Sequence, residues 1–383
     1  MRKLEYTRDL LLMLFVIYYA QGSLYPIGSI LSQASLALIL CISLFYFFRT
    51  LFTNIKKSTF YKAWTALLLL NIFGFFFTGT ISDSFHVGMF KEILFASLPF
   101  YPFFYFAQSG VLTSKHLVRF FFLILPITIL QFYFNVNQIL AERISDDTNV
   151  VNNLAYSFVA FIPFVFLIKK KILSFLVMLV LIFFIIQGAK RGALIAGFIG
   201  LFVFLYYQLR TVSKKNKIKG YLFVAAGIIG MCYYAFNTFQ NNEFMIERLQ
   251  NMSEGSSSGR DMIYSNVFDG WVNSNSFLNL LFGFGFVASL QLSGIGSLAH
   301  NDWLELLSNY GLLGVCIYAI LFYAAAKPIY SSKWLIDKKL VMITVVVIWF
   351  FITLISMSYN SQSSYIYAIL LAYLLGSRSR NLT

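Results

Sequence analysis

Charge is what this chain has least of. Only 11% of its 383 residues are Asp, Glu, Lys or Arg, against roughly 25% in a soluble domain. With 59% of residues hydrophobic, an ordinary soluble fold and a disordered chain are both excluded. Proline is scarce as well, at 6 residues, so long helices need few breaks. There are three histidines and three cysteines. Cys41, Cys232 and Cys316 all lie inside apolar runs, and no His or Cys cluster has metal spacing. That excludes a disulfide framework and a zinc site, and no cofactor is expected. Acidic residues number 15 against 29 basic ones, a net charge of +14. In a soluble protein that balance would point to nucleic acid; here the distribution of the charge gives it another meaning.

What is present is a series of apolar runs approaching the roughly 20 residues that cross a bilayer as a helix. They are continuous rather than alternating, which favours helices over a barrel. The expected fold is all-α and polytopic, a single integral membrane domain over 1–383. Twelve spans are expected, at roughly 9–25, 29–48, 63–79, 87–107, 117–134, 153–168, 172–187, 192–209, 220–237, 303–326, 340–357 and 362–376. The first of these reads as a retained span, since no clean small-residue cleavage site follows it. With both termini in the cytoplasm, 23 of the 29 basic residues fall inside, together with only Glu5, Asp9 and Asp337. This is the positive-inside pattern of a multi-pass membrane protein. The basic excess therefore faces anionic lipid, and no nucleic-acid partner is implied.

Six basic residues break the pattern: Lys91, Arg143, Lys190, Arg191, Arg248 and Arg260. Arg143 lies beside Glu142, Asp146 and Asp147 and reads as a surface ion pair. Arg248 follows Glu247 on an amphipathic helix, with the same reading. Lys91 and Glu92 form either an intramembrane ion pair or part of a site lining. Lys190 and Arg191 sit in QGAKRGALIAG, a turn of a few residues at the outer face with no acidic neighbour. Gly188 and Gly192 flank the pair and are expected to let the backbone turn. Snorkelling to headgroups is the simple alternative. A bound anion fits better, since an arginine fork suits a diphosphate.

The one long polar interval, about 66 residues over 237–302, lies outside by the same bookkeeping. A loop of that length with Trp271, many Phe and several Gly has the composition of a functional segment. NNEFMIERLQNM has helical spacing and SEGSSSG is a flexible break. RDMIYSNVFDGWV is periodic again, with Met262, Ile263, Val267 and Trp271 on one apolar side and Arg260 at its start. An anion is favoured at a helix N-terminus. LLFGFGF is a glycine-punctuated turn, with no preceding strand to make it a dinucleotide fingerprint. HNDWLELLSNYGLLG then opens the next span. Asn301 or Asp302 can cap that helix, and Asp302 with Glu305 has capping-box spacing. His300 sits at the helix start. A lone histidine is ordinarily structural, but imidazole is a suitable base near neutral pH, and Asp302 or Glu305 is available as base or orienter. Gly311 and Gly314 are expected to allow close helix packing.

Three of these features together resemble the O-antigen ligase and O-antigen polymerase superfamily. They are AKRG at 189–192, the long outer loop carrying Arg260, FGFGF and His300-Asn301, and the glycine-bearing helix that follows. The resemblance covers about 110 residues; the N-terminal spans share only hydropathy with the family. It implies a metal-independent glycosyltransferase outside the cytoplasmic membrane, with an undecaprenyl-diphosphate-linked glycan as donor. Arg191 and Arg260, with Lys190, would hold the diphosphate, and His300 would be catalytic. Implied partners are the lipid-linked glycan, membrane lipid, a chain-length regulator and a flippase. A polymerase is expected ahead of a ligase that transfers to lipid A–core. A flippase with a similar number of spans is the rival from another class, but no second copy of AKRG or HND exists to mark inverted repeats.

Overall fold

The computed structural model describes residues 2–78, 83–142, 151–211, 259–330, 334, 336–358 and 364–380, with isolated positions between 218 and 237. The readings made above for Arg143, Glu247 and Arg248 lie outside the described residues. Among the described residues, regular structure is helical throughout, and the one bridge joins Gln21 and Tyr25.

The first half consists of α1 (Arg2–Tyr19), α2 (Ile30–Phe52), α3 (Thr59–Phe77), α4 (Ser84–Ser97), α5 (Phe100–Gln108), α6 (Ser114–Glu142), α7 (Ala155–Val165), α8 (Lys171–Gln187) and α9 (Arg191–Thr211). The second half has three short helices, α10 (Arg260–Val272), α11 (Phe277–Phe282) and α12 (Ser289–Leu292). Three longer ones follow: α13 (Asp302–Tyr330), α14 (Ile336–Ile355) and α15 (Ser364–Arg380). Among the described residues, six helices are long and apolar enough to cross a membrane: α2, α3, α6, α9, α13 and α14. Helices α7, α8 and α15 are apolar but shorter. The chain is thus all-α with the helices of a multi-pass membrane protein.

Local chemistry sets several boundaries. Ser29 and Ser58 cap α2 and α3 by accepting from the amides of Ser32 and Tyr61, and Asp83 caps α4 through Phe85 N. The apolar run over 87–107 is not one continuous helix. Pro99 lacks an amide hydrogen and divides it into α4 and α5. The last run, apolar on every side, forms the centre of the bundle: Tyr365 to Leu375 are all buried. The ring of Tyr365 stacks on Phe15 of α1 at 4.8 Å.

Helix α13 is broken in a way the sequence did not suggest. Gly311 has φ 59°, ψ −153°, so it opens the helix rather than serving as a flat packing position. Opening frees carbonyls that would otherwise lack partners in the membrane. The LLFGFGF turn fills them: Phe284 N donates to Ser308 O at 2.8 Å and Gly285 N to Asn309 O at 3.0 Å. Asn309 Oδ1 accepts from Ala288 N at 2.8 Å. A β-carbon on Gly283 would stand 2.3 Å from the Asn309 backbone, and one on Gly311 would stand 2.5 Å from that of Leu281. The glycines let two stretches of main chain touch. Tyr310 then reaches α3, donating to Asn71 Oδ1 at 3.1 Å beside Gly74.

Candidate active site

Helix α8 ends at Gly188, and α9 begins three residues later at Arg191. The tight turn has a different cause from the expected one. Neither Gly188 nor Gly192 has a positive φ; Ala189 does, at 49°. The glycines are needed for contact instead. A β-carbon on Gly188 would lie 2.7 Å from that of Ala155, and one on Gly192 would lie 2.5 Å from the Tyr156 hydroxyl and 2.3 Å from Ile355. Asn152 fastens the turn to its neighbours. Its amide donates to Gly188 O at 2.9 Å and its Nδ2 to Phe132 O of α6 at 3.1 Å.

The segment over 259–302 docks on the last turn of α14. Gly259 takes φ 80°, and Arg260 begins α10. Arg260 Nη1 donates to Ile355 O at 2.7 Å. Asn301 Nδ2 donates to Leu354 O at 3.0 Å, and the Trp303 indole donates to Thr353 Oγ1 at 3.0 Å. The first two of these donors complete carbonyls at a helix C-terminus, where positive charge is also favoured. Behind them, Ile263 and Val267 of α10 bury against Ala299. Of the apolar side expected for α10, only these two are buried; Met262 is 52% exposed. Trp271 is half-buried and donates to Leu280 O. Phe268 and Phe277 are also exposed, so α10 and α11 present aromatic surface outward.

His300 occupies a second left-handed position, φ 51°. A non-glycine residue there needs surrounding structure to hold it. Glu305 supplies that. Its Oε1 accepts from Ala299 N at 2.5 Å and its Oε2 accepts from the Ser289 hydroxyl at 2.6 Å. Glu305 is therefore buried beneath the turn and holds its backbone, not the imidazole. Asp302 faces elsewhere. It is fully buried, with Oδ2 accepting from Tyr318 at 2.6 Å and Oδ1 from Ser358 N at 2.7 Å. The expected Asp302–Glu305 capping box does not form. Asn301 caps the helix, accepting from Trp303 N and Leu304 N. These contacts make Asp302 a strut between helices. Asp302→Ala is expected to destabilise the protein by about 2–5 kcal/mol, since two buried donors lose their acceptor. Thermal denaturation in detergent checks this; an unchanged midpoint would return Asp302 to the list of bases.

The imidazole of His300 is exposed, and the cations of Arg260 and Lys190 act on it. Nearby protein raises the cost of charging the ring, and both positive charges add to that, so its pKa lies below the ordinary histidine value. Arg260 also acts on Tyr156 of α7 and Tyr264 of α10. Burial pushes the Tyr264 phenol up while Arg260 pulls it back. The sequence-derived residues thus divide. His300, Arg260 and Lys190 come together. Arg191 lies next to them at the start of α9, half-buried, and is not among the charges that bear on His300. Lys91 and Glu92 act on each other, and Glu92 acts on Tyr18 of α1, away from this cluster.

Tyr156, Tyr264 and Asn152 were not singled out from sequence. Tyr156 carried a signal, because it is a polar-tipped residue in the first turn of the apolar helix α7. Among the described residues no group of three His, Cys, Asp or Glu is placed to hold a metal ion. No protein-family model and no curated relative matches the chain.

Proposed function

We propose that the protein is a glycosyltransferase with twelve transmembrane helices and both termini in the cytoplasm. It joins undecaprenyl-diphosphate-linked oligosaccharide repeats into O-antigen or capsular polysaccharide on the outer face of the bacterial inner membrane. The observation that carries this reading is that Arg260 and Asn301, the neighbour of His300, both bond the end of α14, where Gly192 of the Lys190–Arg191 turn also packs against Ile355. The charge segregation of the sequence supports an outward-facing site.

The chemistry follows from the groups present. An acceptor hydroxyl attacks the anomeric carbon of the donor, and the bond from that carbon to the diphosphate oxygen breaks. Negative charge grows on the leaving diphosphate, where the guanidinium of Arg260 and the ammonium of Lys190 offset it. His300 takes the hydroxyl proton, which requires a neutral imidazole. The same two cations keep His300 neutral before substrate binds. As the lipid diphosphate arrives, its charge opposes theirs, and the imidazole becomes a better proton acceptor.

A pH dependence results. The acid limb of kcat/KM is expected below the ordinary histidine value of about 6.5, because the shift of His300 is downward. Lys190→Met removes one of the charges that depress it, so the limb should move to higher pH. A limb that stays in place would mean that the titrating base is another group.

Purified protein in lipid nanodiscs, given a synthetic oligosaccharide on undecaprenyl diphosphate, should build a ladder of longer chains. No elongation with a range of donors would remove the reading. In cells, a deletion strain whose surface glycan stops at one repeat on the core indicates polymerisation. Core without any repeat, with chains accumulating on the carrier lipid, would indicate a ligase instead.

A further inference from the structure

A cavity opens close to the cation cluster, with Leu154 at the start of α7 in its wall. It has a volume of about 180 Å³ and lies among α1, α6 and α7. Its wall includes Tyr18, Phe95, Gln131, Asn135, Gln138 and Ser157. Among the described residues no charged side chain lines it, although cations gather nearby at the turn before α9. Asn152 connects the two places, since it bonds both Phe132, next to Gln131, and Gly188, next to the basic turn.

The lining has a distinct chemistry. Gln131, Asn135 and Gln138 repeat at spacings of four and three, which puts three carboxamides on one face of α6. Carboxamides both donate and accept, so they match hydroxyl groups and acetamido groups equally well. Gln131 Nε2 is fixed by donating to Tyr19 O and Gln21 O. Its orientation is thereby set, and its Oε1 is buried with no hydrogen-bond partner. Opposite, the rings of Tyr18 and Phe95 pack at 4.7 Å and offer an aromatic surface. An aromatic wall with a few convergent polar groups is the usual make-up of a site for a small polar ligand. The volume holds about six waters, which is the polar complement of one sugar ring. An anion would meet no compensating charge there.

We propose that this cavity binds one uncharged sugar residue of the glycan, away from the bond that is made. The proposal rests on the glycosyltransferase reading for the identity of the glycan. Its position fits that role. The first turn of α7 separates it from the cation cluster, with Leu154 and Ser157 on the cavity side and Tyr156 within reach of the Arg260 charge. A helix width of about 10 Å thus lies between this sugar and the diphosphate. Glu92, which acts on Tyr18, stands near the cavity and would disfavour an acidic sugar there.

The test is binding without turnover. Saturation-transfer NMR on the full-length protein in nanodiscs would use glucose, galactose, N-acetylglucosamine and N-acetylgalactosamine, with glucuronate as the charged comparison. At least one neutral sugar should receive saturation and glucuronate should not. Asn135→Leu and Gln138→Leu, which keep helix and bulk, should each weaken that binding about fivefold or more. Gln131 is left alone because it holds the end of α1. In the elongation assay the same variants should raise KM while kcat holds. Absence of signal from every neutral sugar overturns the proposal, as does unchanged binding in both variants. If the variants lose sugar binding but no lipid-linked donor is ever elongated by the wild type, the subsite stands and the transferase reading falls.

Discussion

Arg260→Ala is expected to lower the rate of glycosyl transfer by roughly 100-fold or more, the usual loss when one preorganised donor is removed from a developing oxyanion. The substitution also removes a bond to Ile355 O at the end of α14, so a fall in rate alone would be ambiguous. Two comparisons separate the roles. Arg260→Lys keeps the positive charge that acts on His300 but replaces the planar fork by a single ammonium. If the fork grips a diphosphate, this variant should also be slow, with its melting temperature near that of the wild type. If Arg260 serves only to cap α14, Arg260→Ala should lose stability and keep its rate when assayed well below its melting point. His300→Ala provides the reference, because it should abolish the base without touching the α14 contact. Arg191→Ala tests the remaining family expectation. Its charge is not one of those bearing on His300, so its acid limb should stay in place even where its rate falls.

Gly283→Val should be the most damaging change outside the charged cluster. The position combines φ 76° with a main-chain contact that a β-carbon would bring to 2.3 Å. Positive φ at a β-branched residue costs about 1–3 kcal/mol by itself. The contact cannot be relieved by turning a side chain, because the neighbour is backbone. The expected result is loss of the bonds from Phe284 and Gly285 to α13 and release of the segment over 277–288. Hydrogen exchange measured by mass spectrometry should show that segment losing protection in the variant while α15 keeps its own. Full protection in Gly283→Val would mean that the turn and the broken helix are held together by something other than these bonds.

Much of this arrangement was legible before any coordinates. Charge segregation isolated Lys190, Arg191 and Arg260, because a cation outside is costly to insertion and its sequence context shows it directly. His300 was legible for a related reason: it stands at the join between a polar loop and an apolar span. The roles of Asp302 and Glu305 were not. Both were reasonable partners for an imidazole by spacing. Which atoms a buried carboxylate meets is decided by Tyr318, Ser358 and Ser289, and spacing does not report those contacts. The glycines illustrate a similar limit. Gly188, Gly192 and Gly311 all stood out, yet the first two serve close contact alone, while the third serves close contact and also opens a helix. A sequence records that a side chain is missing, not whether φ or crowding required it. The carboxamide face of α6 had a readable period and was passed over because each residue is ordinary by itself.

The docking on α14 also sets a schedule for biogenesis. Arg260 is fixed by a carbonyl 95 positions further along the chain, and Asn301 by one 53 positions further. While the ribosome is at Arg260, neither anchor has been translated. The cations and the histidine therefore stay unassembled until α14 has been made and seated. A chain released early, anywhere before Ile355, carries every residue of the cluster and none of its geometry. Synthesis thus has a late checkpoint: the cluster is assembled only in molecules whose C-terminal helices have been delivered.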